Sequence, residues 1–313
     1  MTLNRRQLFR LVGAGAALSS LGTTAAVAAQ PKFVKPTAEK PMLLCFNENP
    51  LGMSEKAKEA VAKATMYGSR YPFAQVIAFK KDLAKFMNVR PDEVLLTHGS
   101  AEAIRATIEA EATKNTVLVQ PELTYGDGAD VAKRNNIPVK NVKMGPNWSI
   151  DLAALRKVAT AEAKKHRVLV YLVNPNNPTS TIADSNEIFN WIKSQPKNTF
   201  FILDEAYAEF VNDPSFKSCN ELVRQGFDNL VVLKTFSKIF AMAGMRLGYA
   251  VGAVNVINKI RDHVAYEVMM NQTTLAAGKN GLSFLLKGRP DLLTATIKGI
   301  SAFIRIPHKK EQK

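Results

Sequence analysis

From about residue 90 onward, apolar residues fall into short dense runs separated by stretches in which they recur every three or four positions. The runs predict strands at Glu93–Thr97, Thr116–Gln120, Val139–Lys143, Arg167–Asn174, Thr199–Asp204, Leu230–Lys234 and Leu247–Gly252. The stretches between them, near 101–113, 125–135, 151–165, 184–195 and 253–263, read as helices. Val168-Leu169-Val170-Tyr171-Leu172-Val173 is apolar at every position. A strand with one wet face would alternate, so this one is covered by helices on both sides. The order of elements predicts an α/β fold: a mostly parallel sheet with helices on both faces. Two helical stretches ahead of residue 90 fall outside that sheet, and no internal repeat is visible.

In open α/β sheets, ligands sit beyond the carboxyl ends of the strands. The residues with chemistry to offer cluster there: Gly99-Ser100 after one strand, Asn174 to Thr179 after another, then Asp204, then Ser237-Lys238. Four strand ends therefore carry polar groups toward one crevice.

Composition changes this picture little. The 313 residues carry a net charge of +15, and 46% are apolar. Such a chain folds as a globular protein with room for one large and one smaller domain. The lysines are scattered, with no basic stripe or interleaved aromatics, so the charge reads as a solvated surface favouring small anions, not as a nucleic-acid site. Cys45 and Cys219 are too few for a disulfide framework, and no Cys/His spacing suits a metal. At the start, Arg5-Arg6 precede a short Gly- and Ala-rich apolar stretch, Leu11 to Leu21, and a small-residue run, Ala26 to Ala29. The stretch is too short for a permanent membrane span. It resembles a twin-arginine export signal over residues 1–30, which predicts a periplasmic protein.

The densest motif is Thr235-Phe236-Ser237-Lys238-Ile239-Phe240-Ala241-Met242-Ala243-Gly244-Met245-Arg246-Leu247-Gly248. Five others precede it in order: Asn47-Glu48-Asn49-Pro50, Arg70-Tyr71-Pro72, Gly99-Ser100-Ala101-Glu102, Asn174-Pro175-Asn176-Asn177-Pro178-Thr179 and Asp204-Glu205-Ala206-Tyr207. Together they resemble the fold-type I aminotransferases that use pyridoxal phosphate, most of all the histidinol-phosphate aminotransferase branch, from about Leu43 to Val268. The resemblance implies transamination between an amino acid, or an amino-alcohol phosphate, and a 2-oxo acid. It makes Lys238 the lysine that forms a Schiff base with the cofactor and later moves the substrate's proton. Asp204 would keep the pyridine nitrogen protonated, and Tyr207 and Asn177 would bond the ring oxygen. Asn176-Asn177-Pro178 is equally a plain turn. Ser100 and Ala101 at a helix start, with Thr235, Ser237 and Arg246, would hold the phosphate, although Ser100 also reads as an N-cap. Tyr125 would stack on the ring, or else be a core aromatic. Tyr71 would reach the cofactor of a neighbouring subunit, implying a homodimer, and Asn49 would lie near the substrate carboxylate. A glycine-rich phosphate loop is absent upstream of Asp204, which argues against a nucleotide hydrolase.

The sequence departs from the pattern in three places. Pro121-Glu122-Leu123-Thr124-Tyr125 is two residues longer than usual, Ser180 stands where a glycine is usual, and little follows residue 268. Gly281 to Ile304 reads as helical material ahead of a basic, Pro-containing tail in which Arg305 superficially matches the family's carboxylate clamp. The resulting division is a signal over 1–30, an arm and first helix over 31–75, a cofactor-binding domain over 76–268 and an incomplete small-domain segment over 269–313. Two other readings remain open: a related pyridoxal-phosphate decarboxylase, and an inactive remnant that only binds cofactor.

Overall fold

A computed structural model describes residue 37 and residues 45–194 and 198–286, with side chains to residue 283. The chain divides into two units, Met1–Leu43 and Leu44–Lys313, and the architecture here is that of the second. In chain order its main elements are helices α1 (Glu55–Ala64) and α2 (Phe73–Met87), strand β1 (Val94–Thr97), α3 (Ser100–Glu111), β2 (Thr116–Pro121), α4 (Asp127–Arg134), β3 (Val139–Val142), α5 (Leu152–Glu162), β4 (Arg167–Val173), α6 (Ser185–Ser194), β5 (Thr199–Asp204), α7 (Asn220–Arg224), β6 (Leu230–Thr235), β7 (Gly248–Gly252), α8 (Val254–Arg261) and α9 (Gln272–Leu286).

The strands form one sheet in the order β1-β7-β6-β5-β4-β2-β3. Five run parallel, while β7 lies antiparallel to both of its neighbours, β6 and β1. Being antiparallel to the same strand, β1 and β6 point the same way, and Gly248 pairs with Thr97 on one side and Thr235 on the other. The carboxyl ends of β1, β4, β5 and β6 thus meet at one edge.

Both faces are covered, and the alternation along each strand sorts side chains between two cores. On β4, Val168, Val170 and Leu172 join the core that also contains Phe79, Leu83 and Leu203. Leu169, Tyr171 and Val173 join the other, with Ile104, Ile108, Val131 and Ile257 from α3, α4 and α8. Each fully buried large apolar side chain contributes about 1.5–3 kcal/mol, so the strand ends are held by well-packed supports on both sides.

Helix α9 begins at Gln272, earlier than the Gly281 that the sequence suggests. Asn271 starts it: its side-chain oxygen accepts from the Thr273 amide at 2.9 Å, and its carbonyl from the Leu275 amide at 3.1 Å. Two threonines and Gly278 make the first turns poor helix formers, which hides the start from a propensity reading. The expected signal over 1–30 and the expected helical material of 287–304, with Arg305 and the tail, lie outside the described residues. Among those described, no helix is long and apolar enough to cross a membrane, and no group of three His, Cys, Asp or Glu is placed to hold a metal.

Candidate active site

At the meeting edge lies a cavity of about 510 Å³. Lys238, just past β6, and Asp204, the last residue of β5, both line it. Asp204 is 2% exposed. It accepts hydrogen bonds from the Tyr171 hydroxyl and the Ala206 amide, both at 3.1 Å, and no ion pair reaches it among the described residues. Burial pushes its carboxyl up to about 6. Lys238 is half-buried. Its Nζ donates to the Phe46 carbonyl at 2.7 Å and stands 5.8 Å from the centre of the Tyr207 ring. Burial lowers its pKa, partly opposed by Asp204 and Glu48 and aided by Arg246. An amine with a depressed pKa beside a buried, unpaired acid is suited to nucleophilic and proton-transfer chemistry.

Opposite them is a cup for an anion. Gly99 (φ +84°) turns the chain from β1 into α3, so that Ser100 and Ala101 open the helix against the cavity. Free N–H groups and the positive helix end face that space. Arg246, itself left-handed at φ 54°, places its guanidinium there. It donates to the Ala243 carbonyl at 2.9 Å and, at 3.4 Å, to Ser237 Oγ and the His98 carbonyl, with no carboxylate partner among the described residues. The Thr235 hydroxyl donates to Ser237 Oγ at 3.0 Å and accepts from the Ser237 amide at 3.1 Å. Close approach of two backbones builds this cup. A Cβ on Gly248 would stand 2.6 Å from the Gly99 carbonyl carbon and 2.7 Å from the Ser100 nitrogen.

The third wall is the loop after β4, where two asparagines lock the loop and one is left over. Asn174 exchanges two hydrogen bonds with Ala183. Asn176 accepts from the Thr124 hydroxyl and donates to the Leu123 carbonyl and Thr179 Oγ1. Asn177 lines the cavity, and its carboxamide has no hydrogen-bond partner among the described residues. The lengthened turn after β2 is absorbed by these contacts, together with the Glu122 amide donating to the Val142 carbonyl at 2.8 Å. Tyr125 consequently still borders the cavity, and burial raises its pKa.

A sequence model of aminotransferase class I and II matches residues 39–279. The chain belongs to that family. A histidinol-phosphate aminotransferase of Caldicellulosiruptor saccharolyticus is 29% identical over 87% of this chain and 79% of its own length. One from Brevibacillus brevis is 31% identical over 71% of this chain, which spans only 59% of that relative. Among solved structures, one from Erwinia carotovora atroseptica, provisionally assigned as a histidinol-phosphate aminotransferase, shares 44% identity and a TM-score of 0.80 over 85% of this chain and 75% of its own. The histidinol-phosphate aminotransferase of Sinorhizobium meliloti, solved with pyridoxal 5'-phosphate, has the same fold at 20% identity, with a TM-score of 0.73 over 90% and 76%.

Pyridoxal phosphate is the cofactor of class I and II aminotransferases, and the cavity of this member fits it. Asp204 is a buried carboxyl lacking a cation, the cup pairs a helix start with an arginine lacking an anion, and a primary amine stands with them. Ten of the twelve site residues expected from sequence line the cavity: Ser100, Ala101, Tyr125, Asn177, Asp204, Tyr207, Thr235, Ser237, Lys238 and Arg246. Two do not. Asn49 spends its carboxamide on the Ile239 carbonyl, at 3.1 Å, and on the Leu51 amide, at 3.0 Å. Tyr71 is 68% exposed and borders no part of this chain's cavity. Phe46, Asn47 and Glu48 line it as well, the last two from a motif in which the sequence gives a role only to Asn49. Asn47 donates to the Tyr207 hydroxyl at 3.0 Å. The signal for it was present, since Asn47 and Asn49 flank the same glutamate, but spacing alone does not say which of the two faces inward.

Proposed function

We propose that this chain is a transaminase of the histidinol-phosphate aminotransferase branch. It would move an amino group between an amino acid, or an amino-alcohol phosphate such as histidinol phosphate, and a 2-oxo acid. The observation that carries this reading is the convergence of Lys238, Asp204, Tyr207, Asn177 and the Arg246 cup on one cavity. The names of the relatives support the choice of branch. When bound, pyridoxal phosphate supplies an aldehyde that captures amines and a ring that withdraws electrons. Asp204 would hold a proton on the ring nitrogen, because a buried carboxylate without a cation is stabilised by one. Lys238 would hold the cofactor through its amine and, as a base of lowered pKa, would move a proton at the substrate's α-carbon. Tyr207 and Asn177 would bond the ring oxygen, and Tyr125 would lie against the ring. Ser100, Ala101, Thr235, Ser237 and Arg246 bind the phosphate through amides, hydroxyls and a guanidinium.

The test is spectroscopic. The loaded protein is expected to show a cofactor absorbance band that Lys238→Ala abolishes or shifts. Addition of an amino donor should convert the cofactor to its amine form with release of a 2-oxo acid. Carbon dioxide in place of the oxo acid would overturn transamination in favour of decarboxylation, and bound cofactor that never converts would identify a non-catalytic binder.

Two further readings complete the proposal. Met66, Tyr67, Tyr71, Phe73 and Ile77, all more than half exposed, form an apolar stretch that supports burial in a homodimer, to be checked by sedimentation. The residues of 1–30 support export by the twin-arginine route. Arg5→Lys with Arg6→Lys should then keep the protein out of the periplasmic fraction.

A further inference from the structure

On the far face of β5 and β6 from Asp204 and Thr235 lies a buried set of charges that the chemistry above does not use. Lys234 Nζ is 3.1 Å from Glu205 Oε2 and 2.9 Å from Glu209 Oε1, and the lysine and Glu205 side chains are 4% and 3% exposed. Glu205 has other partners, accepting from Ser218 Oγ at 2.6 Å and the Cys219 amide at 2.7 Å. Among the described residues Glu209 has only Lys234. The two glutamates bracket a turn with Tyr207 at its centre, closed by the Ala208 amide on the Glu205 carbonyl and the Phe210 amide on the Tyr207 carbonyl, both at 3.1 Å. Lys234 therefore fixes both ends of the turn that presents Tyr207 to the cavity. It does so from the strand that continues into Thr235 and Lys238.

Stability is a poor reason for such a cluster. Apolar residues of similar volume hold a buried face as well or better, whereas charges with several partners select one geometry. We propose that Lys234 and Glu209 are positioning residues: their ion pair sets where the Tyr207 hydroxyl stands relative to the cofactor's ring oxygen. This rests on the transaminase reading of the same cavity.

The probe is the pH midpoint of the cofactor absorbance band, which responds to the hydrogen bond from Tyr207. In the wild-type protein Tyr207→Phe is expected to shift that midpoint. The same substitution is then made in a Lys234→Met, Glu209→Gln background. That background removes one charge of each sign, so the buried net charge is unchanged and Glu205 keeps its bonds to Ser218 and Cys219. The expected result is that Tyr207→Phe shifts the midpoint by less than a third of its wild-type effect, and that Lys234→Arg alone keeps most of it. An equal shift in both backgrounds would overturn the proposal. Where the double variant does not fold, Glu209→Met alone, which removes the acceptor and leaves Lys234 paired with Glu205, gives the same comparison with the same two outcomes. If the wild-type protein shows no cofactor band, it is the transaminase reading that fails.

Discussion

Replacing Asp204 by asparagine removes a buried negative charge while keeping the size of the side chain. In the cofactor-free protein the carboxyl titrates at about 6 against an ordinary 3.8. A displacement of about two pH units is worth about 3 kcal/mol. Because the folded-state pKa is raised, the protonated carboxyl favours folding below about pH 4, and this contribution is lost as pH rises through 6. At pH 7.5 the wild-type protein therefore carries close to the full penalty, and at pH 4 only about 0.6 kcal/mol of it. Asparagine escapes this cost. It still accepts from Tyr171, but its NH₂ cannot accept from the Ala206 amide, a loss of about 1 kcal/mol. The net expectation is that cofactor-free Asp204→Asn is more stable than wild type by about 2 kcal/mol at pH 7.5. That corresponds to roughly 4 °C in Tm, and the advantage vanishes near pH 4. In the loaded enzyme the same change should slow the half-reaction by about 10²–10³-fold, the usual cost of removing one preorganised electrostatic contact. Thermal unfolding of both cofactor-free proteins from pH 4 to 8, beside single-turnover spectra, measures both effects. A variant no more stable at pH 7.5, or a stability difference flat with pH, would show that Asp204 is not held in a charge-excluding site.

Arg246→Ala should weaken cofactor binding about 10–100-fold, since charge-assisted hydrogen bonds contribute about 1.5–3 kcal/mol. Fluorescence titration checks this, and a change below threefold would remove Arg246 from the phosphate contacts. Gly248→Ala should cost about 1–3 kcal/mol of stability by overpacking against Gly99 and Ser100. It should also weaken cofactor binding at least tenfold, because the displaced atoms are the cup itself. Equal affinity in a destabilised variant would separate the two effects and count against this cup.

The strands were legible because their apolar runs end sharply. Thr199–Asp204 is observed with the bounds expected, its apolar run Phe200 to Leu203 closed by a carboxylate. Their order was less so. That β7 runs antiparallel between β6 and β1 is only half local: its partners on β6 are near in sequence, whereas those on β1 lie more than a hundred residues away, which no local pattern encodes. In the site, residues at strand ends were placed by the strands themselves. The segment around Asn47 and Asn49 has no periodicity, and its orientation is set by tertiary partners, Tyr207 and Ile239, that the sequence does not show. The Lys234 staple was passed over because a lysine inside an apolar strand gives no sign of its glutamates until the turn after β5 is folded back.

The antiparallel insertion of β7 also sets a timetable. The bond from Arg246 to the His98 carbonyl spans 148 positions. A ribosome adding about 5–20 residues per second needs roughly 7–30 s to cover that distance. During that interval β1 has been made but lacks β7, its neighbour in the sheet. A nascent chain that ends before β7 can thus hold neither the edge strand nor the cofactor's phosphate. The anion cup is therefore complete only once β7 has been made, and cofactor capture would report that the strand has been threaded into place.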